Sequence, residues 1–495
     1  MAYKPSDSNW EAVIGLEIHV QLKTNSKLFS PAPTDFGAPP NSQAHVVDLG
    51  LPGVLPVLNR KAVSYAIRFG LATGSQIASM IEFDRKNYFY PDLPKGYQIS
   101  QLAHPIVTGG SIWLEKSQRV IGLTRAHLEE DAGKSIHGEF AGRTAVDLNR
   151  AGVPLLEIVS EPDMRSVEEA GEYLRKLHSI VRWIDICDGE MAQGSFRCDA
   201  NISIRERGAS EYGERCEIKN VNSFRFVEKA LAYEIDRQID LLSSGGQIER
   251  ATLLFDEKTG TTAPMRGKEL SADYRYFPDP DLLPLNIDAQ WIDEVRQSLP
   301  ELPEQAKSRL MADYSLSEHD AGLLTADQQV LAYFERVAAI CQEARLAANW
   351  INGEIAARLK DVDSHEAGDT TGAYPIAAET LGNLLVRVAD QSLSSTAAKQ
   401  VLAALWEQSP EAEPAIVSLP EIDSRIDQMG LRQISDGGQL EQLVAQVLEA
   451  HAEQVAQYRS GKTKVLGFLV GQVMKASKGS ANPAQLKEIM TRMLS

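Results

Sequence analysis

The hydrophobic pattern of this 495-residue chain changes near residue 300, and this change limits the possible folds more than any other feature. From residue 12 to about residue 290, short runs alternate between apolar and polar residues and end at turn residues, which is typical of a mixed sheet with inserted helices. From Glu304 onward, segments rich in Ala, Leu, Glu and Gln repeat with the period of a helix. The sequence therefore predicts an α+β fold, in which a mixed-sheet domain is followed by helical domains.

Breaks that contain proline and glycine divide the chain further. Pro300–Pro303 marks a linker, and the helical pattern is interrupted at 368–375 and 409–420. A single core rarely grows beyond about 250 to 300 residues, so several domains are expected for a chain of this length. We predict a catalytic domain over 1–295, a helical domain over 296–408 and a small helical tail domain over 409–495.

The N-terminal segment and the cysteines indicate in which cell compartment the protein is expected. The segment MAYKPSD at the start has no apolar core of a signal peptide, and no run of about 18 apolar residues occurs. We therefore expect a cytoplasmic protein with no membrane partner. None of the four cysteines belongs to a C-x-x-C pair, which indicates reduced structural thiols rather than a zinc or redox site.

Charge is distributed unevenly along the chain. The net charge of −18 argues against nonspecific coating of nucleic acid, because lysine and arginine are needed to neutralise phosphates. The segment Arg459–Ser495, in contrast, carries seven basic side chains and one acidic side chain. This tail is therefore predicted to meet an anionic partner.

A strand near the N-terminus projects chemically active side chains. In Leu16–Leu22 the apolar residues take one face of the strand, and Glu17, His19 and Gln21 take the other. A carboxylate and an imidazole thus lie side by side. A strand edge that faces solvent would show the same alternation, so this segment alone leaves both interpretations open.

Further acids occupy strand-like segments of the first part. They lie in Asp199–Arg205, at Glu217, in His127–Asp131 and inside the apolar run Leu155–Val159. An acid in an apolar strand needs a partner, and Mg²⁺ prefers carboxylate oxygens completed by water and nucleotide phosphate. A magnesium site built from separate strands is one interpretation. Buried salt bridges are the other, with these arginines as partners: Arg150, Arg197 and Arg205.

Two loops combine aromatic rings with a cation. They are Tyr88–Tyr97, which contains Lys95, and Asp273–Asp281, which contains Arg275. Such loops can stack an adenine or a terminal tRNA base and meet a phosphate with the cation. We therefore count Lys95 and Arg275, together with Arg205, as candidate nucleotide-binding residues. A rigid proline-rich crossover packed by its own rings is the alternative.

Familiar nucleotide and hydrolase motifs are absent from the sequence. Gly461-Lys-Thr463 lacks the glycine that a phosphate loop requires five residues earlier, because position 456 is alanine. No G-x-G-x-x-G and no G-x-S-x-G motif occurs. An ATP site must therefore use a less common fold, and amide hydrolysis by this chain alone has no visible nucleophile.

The segments described above recur in a known family. The chain resembles the B subunits of aspartyl/glutamyl-tRNA(Asn/Gln) amidotransferases from Val13 to the C-terminus. The tail GKTKVLGFLVG at 461–471 resembles the small helical tRNA-binding domain of that family. The most specific matches are VIGLEIHV at 13–20, DRKNYFYP at 84–91, VDLNRAGVPLLEIVSEP at 146–162 and RCDANIS at 197–203.

The resemblance implies a function. The mixed-sheet domain would be a cradle that binds ATP and Mg²⁺ and phosphorylates the side-chain carboxylate of misacylated Glu-tRNA(Gln), Asp-tRNA(Asn) or both. Phosphorylation gives the carboxylate a leaving group, which ammonia then displaces. The implied enzyme is a carbon–nitrogen ligase with glutamine as amide donor, in which an A subunit releases ammonia and a C subunit completes a heterotrimer. The missing nucleophile agrees with this division of labour.

The resemblance also implies site residues. The catalytic residues would be Glu17, His19, Glu130 and Glu157. The metal ligands would be the same four residues together with Asp199 and Glu217. The motif does not divide the role cleanly between Glu129 and Glu130, and we favour Glu130 with Glu129 as second choice. The tRNA-binding residues would be Lys462, Lys464, Lys475 and Lys478.

The sequence departs from the family pattern at one place, and two other functions are possible for it. Some family members carry paired cysteines in the loop after the first strand, but 29–33 and 44–48 contain none here, so no structural zinc is expected. A stand-alone magnesium-dependent hydrolase or ligase for a small molecule would need no basic tail. A noncatalytic tRNA-binding scaffold would function without Glu17.

Overall fold

A computed structural model describes residues 9–140, 142–265, 273–363, 374–408, 414–433, 437–477, 481 and 483–494. The chain divides into two compact units, Met1–Leu302 and Pro303–Ser495. The named strands lie in the first unit, and the elements described in the second unit are helices. The predicted α+β fold with a helical C-terminal region is confirmed. The division of the helical part near residue 408 stays a prediction.

The strands of the first unit vary from two to twelve residues in length. They are β1 (Trp10–Gln21), β2 (Gln76–Ile77), β3 (Met80–Ile81), β4 (Asp84–Asn87), β5 (Tyr97–Ser100), β6 (Val107–Thr108), β7 (Ser111–Leu114), β8 (Arg119–Glu130), β9 (Lys134–Phe140), β10 (Arg143–Asp147), β11 (Pro154–Ser160), β12 (Phe196–Glu206), β13 (Cys216–Val221), β14 (Ala251–Asp256), β15 (Thr261–Pro264), β16 (Phe277–Pro278) and β17 (Leu285–Asn286).

Ten of these strands form one sheet. Its order is β15-β14-β13-β12-β1-β11-β8-β6-β2, and β7 pairs with β8 outside this path. β13 and β14 run parallel, while β1 is antiparallel to both of its neighbours. The long strand β1 therefore lies at the centre of the sheet, between β12 and β11.

The alternation of β1 is visible in the burial of its side chains. Leu16, Ile18 and Val20 are buried, whereas Glu17 and His19 on the opposite face are half-buried. Because successive side chains of a strand point to opposite faces, one face of β1 joins the core and the other remains available for chemistry.

The part of the first unit that the structure describes also contains four helices: α1 (Arg60–Ala72), α2 (Val167–Trp183), α3 (Phe224–Ser243) and α4 (Ala289–Gln297). α2 begins after Ser166, whose hydroxyl accepts a hydrogen bond from the Glu169 N–H at 3.1 Å. α3 begins after Ser223, which caps the Phe226 N–H at 3.2 Å in the same way. α2 and α3 contact each other, and α3 contacts β12, so both helices help to cover the sheet.

The second unit is built from short helices. A π-helical turn, Ile351–Ile355, joins α8 to α9, and the last helices bury a cluster that includes Leu440, Leu469 and Met490. No described helix is long and apolar enough to cross a membrane. The helices are α5 (Pro303–Tyr314), α6 (Glu318–Leu324), α7 (Gln328–Cys341), α8 (Ala344–Trp350), α9 (Ala356–Asp363), α10 (Ala378–Ala389), α11 (Ser395–Glu407), α12 (Leu419–Gln428), α13 (Gly437–Ala450), α14 (Ala452–Arg459), α15 (Val465–Ala476) and α16 (Pro483–Leu494).

Candidate functional site

A row of polar side chains crosses four neighbouring strands at the centre of the sheet. His19 on β1 is paired in register with Glu157 on β11 and with Arg197 on β12. Glu157 is paired in turn with His127 on β8. Residues that are directly opposite each other in antiparallel strands project to the same face. The sheet therefore brings together side chains from four separate segments of the chain.

Three side chains at this point are close enough to hold one metal ion. His19 Nε2 is 3.5 Å from Glu129 Oε1 and 3.7 Å from Glu157 Oε2. One ligand atom from each of the three residues lies within 4.8 Å of the others. Two carboxylates and an imidazole are a suitable donor set for a divalent cation. We call His19, Glu129 and Glu157 the three-ligand group.

His127 is buried next to the three-ligand group. Its Nε2 is 3.1 Å from Glu157 Oε2 and 3.8 Å from Glu129 Oε2. Burial opposes protonation, but Glu157 and Glu129 outweigh burial and raise the pKa of His127 to about 9. Burial likewise opposes ionisation of the two acids, but His127 and His19 outweigh it and lower the pKa of both. The sequence analysis did not assign His127 to the site. Its position two residues before Glu129 could have indicated that both side chains lie on the same face of the strand.

Glu130 points away from the three-ligand group, because adjacent residues of β8 project to opposite faces. Its carboxylate contacts Lys95 and accepts a hydrogen bond from the Ile99 N–H at 2.9 Å. The structure therefore brings Glu129, the second choice from the sequence, to the group in place of Glu130. Which of the two glutamates binds a metal stays a prediction, and the geometry favours Glu129. The same contact occupies Lys95, which the sequence had suggested for nucleotide phosphate.

The other expected ligands, Glu17, Asp199 and Glu217, form a second acidic set on neighbouring strands. Glu17 Oε1 accepts a hydrogen bond from Asn201 Nδ2 at 2.9 Å, and burial raises the pKa of Glu17. Lys219 Nζ lies 3.4 Å from Asp199 Oδ2 and 3.1 Å from Glu217 Oε1. Two members of this set thus share one lysine.

The arginines considered as salt-bridge partners bind other acids. Arg197 donates to Asp131 Oδ2 at 2.8 Å, and Arg150 Nε lies 3.6 Å from the same oxygen. Arg205 Nε donates to Glu11 Oε2 at 2.8 Å. These arginines therefore pair with Asp131 and Glu11, and the acids of the three-ligand group are paired with histidines instead. The same contact engages Arg205, which the sequence had suggested for nucleotide binding.

The two aromatic loops lie against each other. The ring centroids of Tyr88 and Tyr274 are 6.1 Å apart, and the Asn87 N–H donates to the Tyr274 carbonyl at 2.9 Å. Lys86 Nζ lies 4.9 Å from the centroid of the Tyr274 ring. Burial lowers the pKa of Lys86, but the charge of Glu129 outweighs it and the pKa is raised. Lys86 is therefore a cation near the three-ligand group that the sequence did not single out.

The other cations suggested by the sequence occupy exposed positions. Arg275 is exposed in its loop and has a left-handed backbone with φ of 45°. Lys462, Lys464 and Lys475 are exposed in the tail. Lys478 lies outside the described residues. Exposed lysines are accessible to an anionic partner, but their positions do not identify it.

Two family models match the chain. Residues 12–293 match the model described as the GatB/GatE catalytic domain, and residues 332–494 match the model described as the GatB domain. The three-ligand group and the second acidic set both lie within the first match. The basic tail lies within the second match up to residue 494.

Named relatives match over nearly the whole chain. The B subunit of the aspartyl/glutamyl-tRNA(Asn/Gln) amidotransferase of Thioalkalivibrio sulfidiphilus is 53% identical over 489 residues, which cover 98% of this chain and 99% of the relative. The B subunit of the same name from Laribacter hongkongensis is 54% identical over 487 residues, with 98% and 99% covered. The resemblance seen in the sequence is confirmed, and the chain belongs to the family of aspartyl/glutamyl-tRNA(Asn/Gln) amidotransferase B subunits.

Proposed function

We propose that this chain is the subunit of a cytoplasmic tRNA-dependent amidotransferase in which the side-chain carboxylate of a misacylated tRNA is activated by ATP. The substrates are Glu-tRNA(Gln), Asp-tRNA(Asn) or both, and the complex is a carbon–nitrogen ligase with glutamine as amide donor. A partner A subunit supplies ammonia and a C subunit completes the heterotrimer. Family membership supports the proposal, and so does the absence of a hydrolase nucleophile motif from the sequence.

The single observation that carries the proposal is the three-ligand group. His19, Glu129 and Glu157 come from three strands and present ligand atoms within 4.8 Å of one another on one face of the sheet. His127 contacts both acids, and His19 and Glu157 remain half-buried rather than fully buried. Oxygen-rich groups of this kind suit Mg²⁺, which commonly takes one or two carboxylates plus water and substrate phosphate.

The donor set fits the metal that the family resemblance implies. Glu129 and Glu157 provide carboxylate oxygens, and His19 Nε2 provides a third ligand atom. A bound Mg²⁺ offsets negative charge on a transferring phosphoryl group. In the second acidic set, Lys219 already contacts two of the three carboxylates. We therefore assign the first cation position to the three-ligand group.

Other side chains of the cradle prepare the site without touching the cation. Protonated His127 holds Glu157 in place, as outer hydrogen-bond partners of metal ligands commonly do. Lys86 places a second positive charge near Glu129. Tyr88 and Tyr274 supply ring faces for an adenine or for the terminal base of tRNA. Together these residues would orient a phosphate and a carboxylate for reaction.

The tail is proposed to bind tRNA through its lysines. Lys462, Lys464 and Lys475 are exposed, in a segment where basic side chains outnumber acidic ones. Phosphate contacts of this kind contribute affinity without sequence information. The predicted domains at 296–408 and 409–495 would then hold the body of the tRNA while the cradle acts on its acyl end.

The test is conversion of Glu-tRNA(Gln) to Gln-tRNA(Gln) by the chain together with its A and C partners, ATP, Mg²⁺ and glutamine. Glu157→Gln should remove conversion while the partner's release of ammonia from glutamine continues. Glu168→Gln, at an exposed position of α2, is the matched control and should keep full activity. Equal activity of Glu157→Gln and wild type would place the chemistry elsewhere and leave a tRNA-binding scaffold.

A second control separates the proposal from a stand-alone enzyme. The chain without partners should not form Gln-tRNA(Gln) from glutamine, because it has no visible means of releasing ammonia. Turnover of glutamine or of a small carboxylate by the isolated chain would favour the stand-alone hydrolase or ligase instead.

A further inference from the structure

Arg125 is a positively charged residue on the same face of the sheet as the three-ligand group. It alternates with His127 and Glu129 along β8. In register it lies opposite Val159 on β11, and Val159 lies opposite Glu17 on β1. Glu17, Val159 and Arg125 therefore form a row across the sheet, and it lies beside the row formed by His19, Glu157 and His127.

Arg125 is half-buried and has no partner among the described residues. Its Nε is buried and makes no hydrogen bond, and no carboxylate of the described residues forms an ion pair with it. Other arginines of this sheet are paired: Arg119 with Glu169 at 3.2 Å and Arg205 with Glu11 at 2.7 Å. A buried donor on a charged group is costly unless a partner satisfies it. Arg125 is therefore a positive charge on this face of the sheet with a buried donor that no described residue satisfies.

One strand separates Arg125 from the acids on β1. Neighbouring strands are ~4.8 Å apart, so the backbones of Arg125 and Glu17 are separated by ~10 Å, with only Val159 between them. Valine offers neither a hydrogen-bond partner nor a charge. An anion above Val159 would meet the guanidinium on one side and the acidic surface on the other.

We propose that Arg125 binds a phosphate group of the substrate and holds it beside the three-ligand group. This inference rests on the proposed function, which brings a phosphate to this face of the sheet. A guanidinium presents several N–H groups in a fixed plane that matches two phosphate oxygens, which a lysine cannot do. It also supplies the fixed positive charge that an anion needs next to Glu17, Glu129 and Glu157.

Arg125 is better placed for this role than the cations suggested by the sequence. Lys95 is engaged by Glu130, Arg205 by Glu11, and Arg275 is exposed in its loop. Arg125 combines an unpartnered donor with a position in the row next to the proposed ligands. The phosphate it binds belongs either to the polyphosphate of ATP or to the terminal phosphodiester of the tRNA, and the two share the same chemistry.

Equilibrium binding distinguishes these sources. The chain, in complex with its partner subunits, is titrated with a non-hydrolysable ATP analogue plus Mg²⁺ and, separately, with tRNA in the absence of nucleotide. The variants are Arg125→Gln, which removes the charge, and Arg125→Lys, which keeps the charge and loses the planar fork. Arg119→Gln is the control, since Arg119 lies on the same strand but is paired with Glu169.

Arg125→Gln should weaken binding of the ATP analogue about tenfold or more, because a charge-assisted bidentate interaction is removed. Arg125→Lys should recover part of that loss, and Arg119→Gln should bind like wild type. A loss confined to tRNA would support the phosphate contact and assign it to the terminal phosphodiester. Unchanged affinity for both ligands in Arg125→Gln would overturn the proposal.

Two further measurements keep the result interpretable. Thermal unfolding shows whether Arg125→Gln is folded. If Arg125→Gln is not folded, the binding measurements on Arg125→Lys decide. Full affinity of Arg125→Lys for both ligands would then reject the phosphate contact. Glu157→Gln tests the proposed function itself through Gln-tRNA(Gln) formation. Loss of conversion in Glu157→Gln with normal nucleotide and tRNA binding in Arg125→Gln would reject the role of Arg125 and leave the proposed function standing.

Discussion

Glu157 Oε2 lies 3.1 Å from His127 Nε2, and the two residues are directly opposite each other on β11 and β8. The pKa of His127 is raised to about 9 and the pKa of Glu157 is lowered, so both side chains are charged at neutral pH. An imidazolium ion next to a candidate metal ligand fixes the orientation of that ligand and limits repulsion between Glu157 and Glu129. The pair therefore offsets part of the negative charge of the two acids.

His127→Ala should destabilise the first unit by about 3 kcal/mol, because removing one partner of a buried ion pair leaves the other charge uncompensated. Chemical denaturation measures the change. The control is His319→Ala at an exposed position of α6, which should be nearly neutral. Equal stability of the two variants would show that His127 is not holding the acids.

The cation should bind the three-ligand group and not the second acidic set. Adding Mn²⁺ or Mg²⁺ at about 100 times its dissociation constant should stabilise wild type by about 2.7 kcal/mol through linkage, which thermal unfolding detects. Glu157→Gln should lose this stabilisation, and Glu217→Gln should keep most of it, since Glu217 already contacts Lys219. A reversed pattern would move the first cation position to the second set.

Removal of the hydroxyl should destabilise the chain at only one of two buried tyrosines. Tyr173 Oη is buried and no described residue hydrogen-bonds to it, so Tyr173→Phe should stabilise the chain or leave it unchanged, within about 1 kcal/mol. Tyr333 Oη donates to the Ile376 carbonyl at 3.0 Å, so Tyr333→Phe should cost about 1 kcal/mol. Denaturant unfolding of both variants tests the pair, and a loss of stability in Tyr173→Phe would indicate a bound water.

The cysteines should be unreactive in the native chain. All four are buried, and burial raises the pKa of Cys187 to about 12. Since the thiolate is the reactive form, alkylation should be negligible at about pH 8 and should increase only as the pH approaches the raised pKa. Mass spectrometry after iodoacetamide treatment checks this, with denatured chain as the positive control. Rapid native labelling of Cys187 would contradict the burial.

Charge on the tail should set the salt dependence of tRNA binding. Replacing Lys462, Lys464 and Lys475 together by Gln should weaken tRNA binding. The slope of the logarithm of the binding constant against the logarithm of the salt concentration should fall in magnitude by roughly 0.7 to 0.9 for each phosphate that is no longer neutralised. The matching Lys→Arg triple variant keeps the charges and should bind like wild type. Divalent-cation stabilisation of the cradle should be unaffected. An unchanged slope in the Gln variant would remove these lysines from the tRNA interface.

Much of the site could be predicted because strand alternation is local. The pattern of Leu16–Leu22 placed Glu17 and His19 on one face, and the structure agrees with that arrangement. Glu157 stood out as an acid in an apolar run, and it does face His19. These features depend on the order of residues within one strand, which the sequence contains.

Other features depend on which strand lies beside which, and a single sequence does not contain that information. The segment His127–Asp131 has acids on both faces of β8, so alternation alone cannot tell which of Glu129 and Glu130 faces the site. Pairing of β8 with β11 decides for Glu129. Arg205 likewise appeared available until β1 brought Glu11 next to it.

Two adjacent glutamates, Glu129 and Glu130, end β8, and they affect what a shift in strand register would do to the site. If β8 slipped by one residue against β11, Glu130 would replace Glu129 and the site would still receive a carboxylate. The imidazole of His127 and the guanidinium of Arg125 would both turn to the opposite side of the sheet. A mispaired chain would therefore keep a carboxylate at the site and lose the positive charges of His127 and Arg125. An insertion or deletion within β8 should therefore be detected by the loss of those two charges from this face of the sheet.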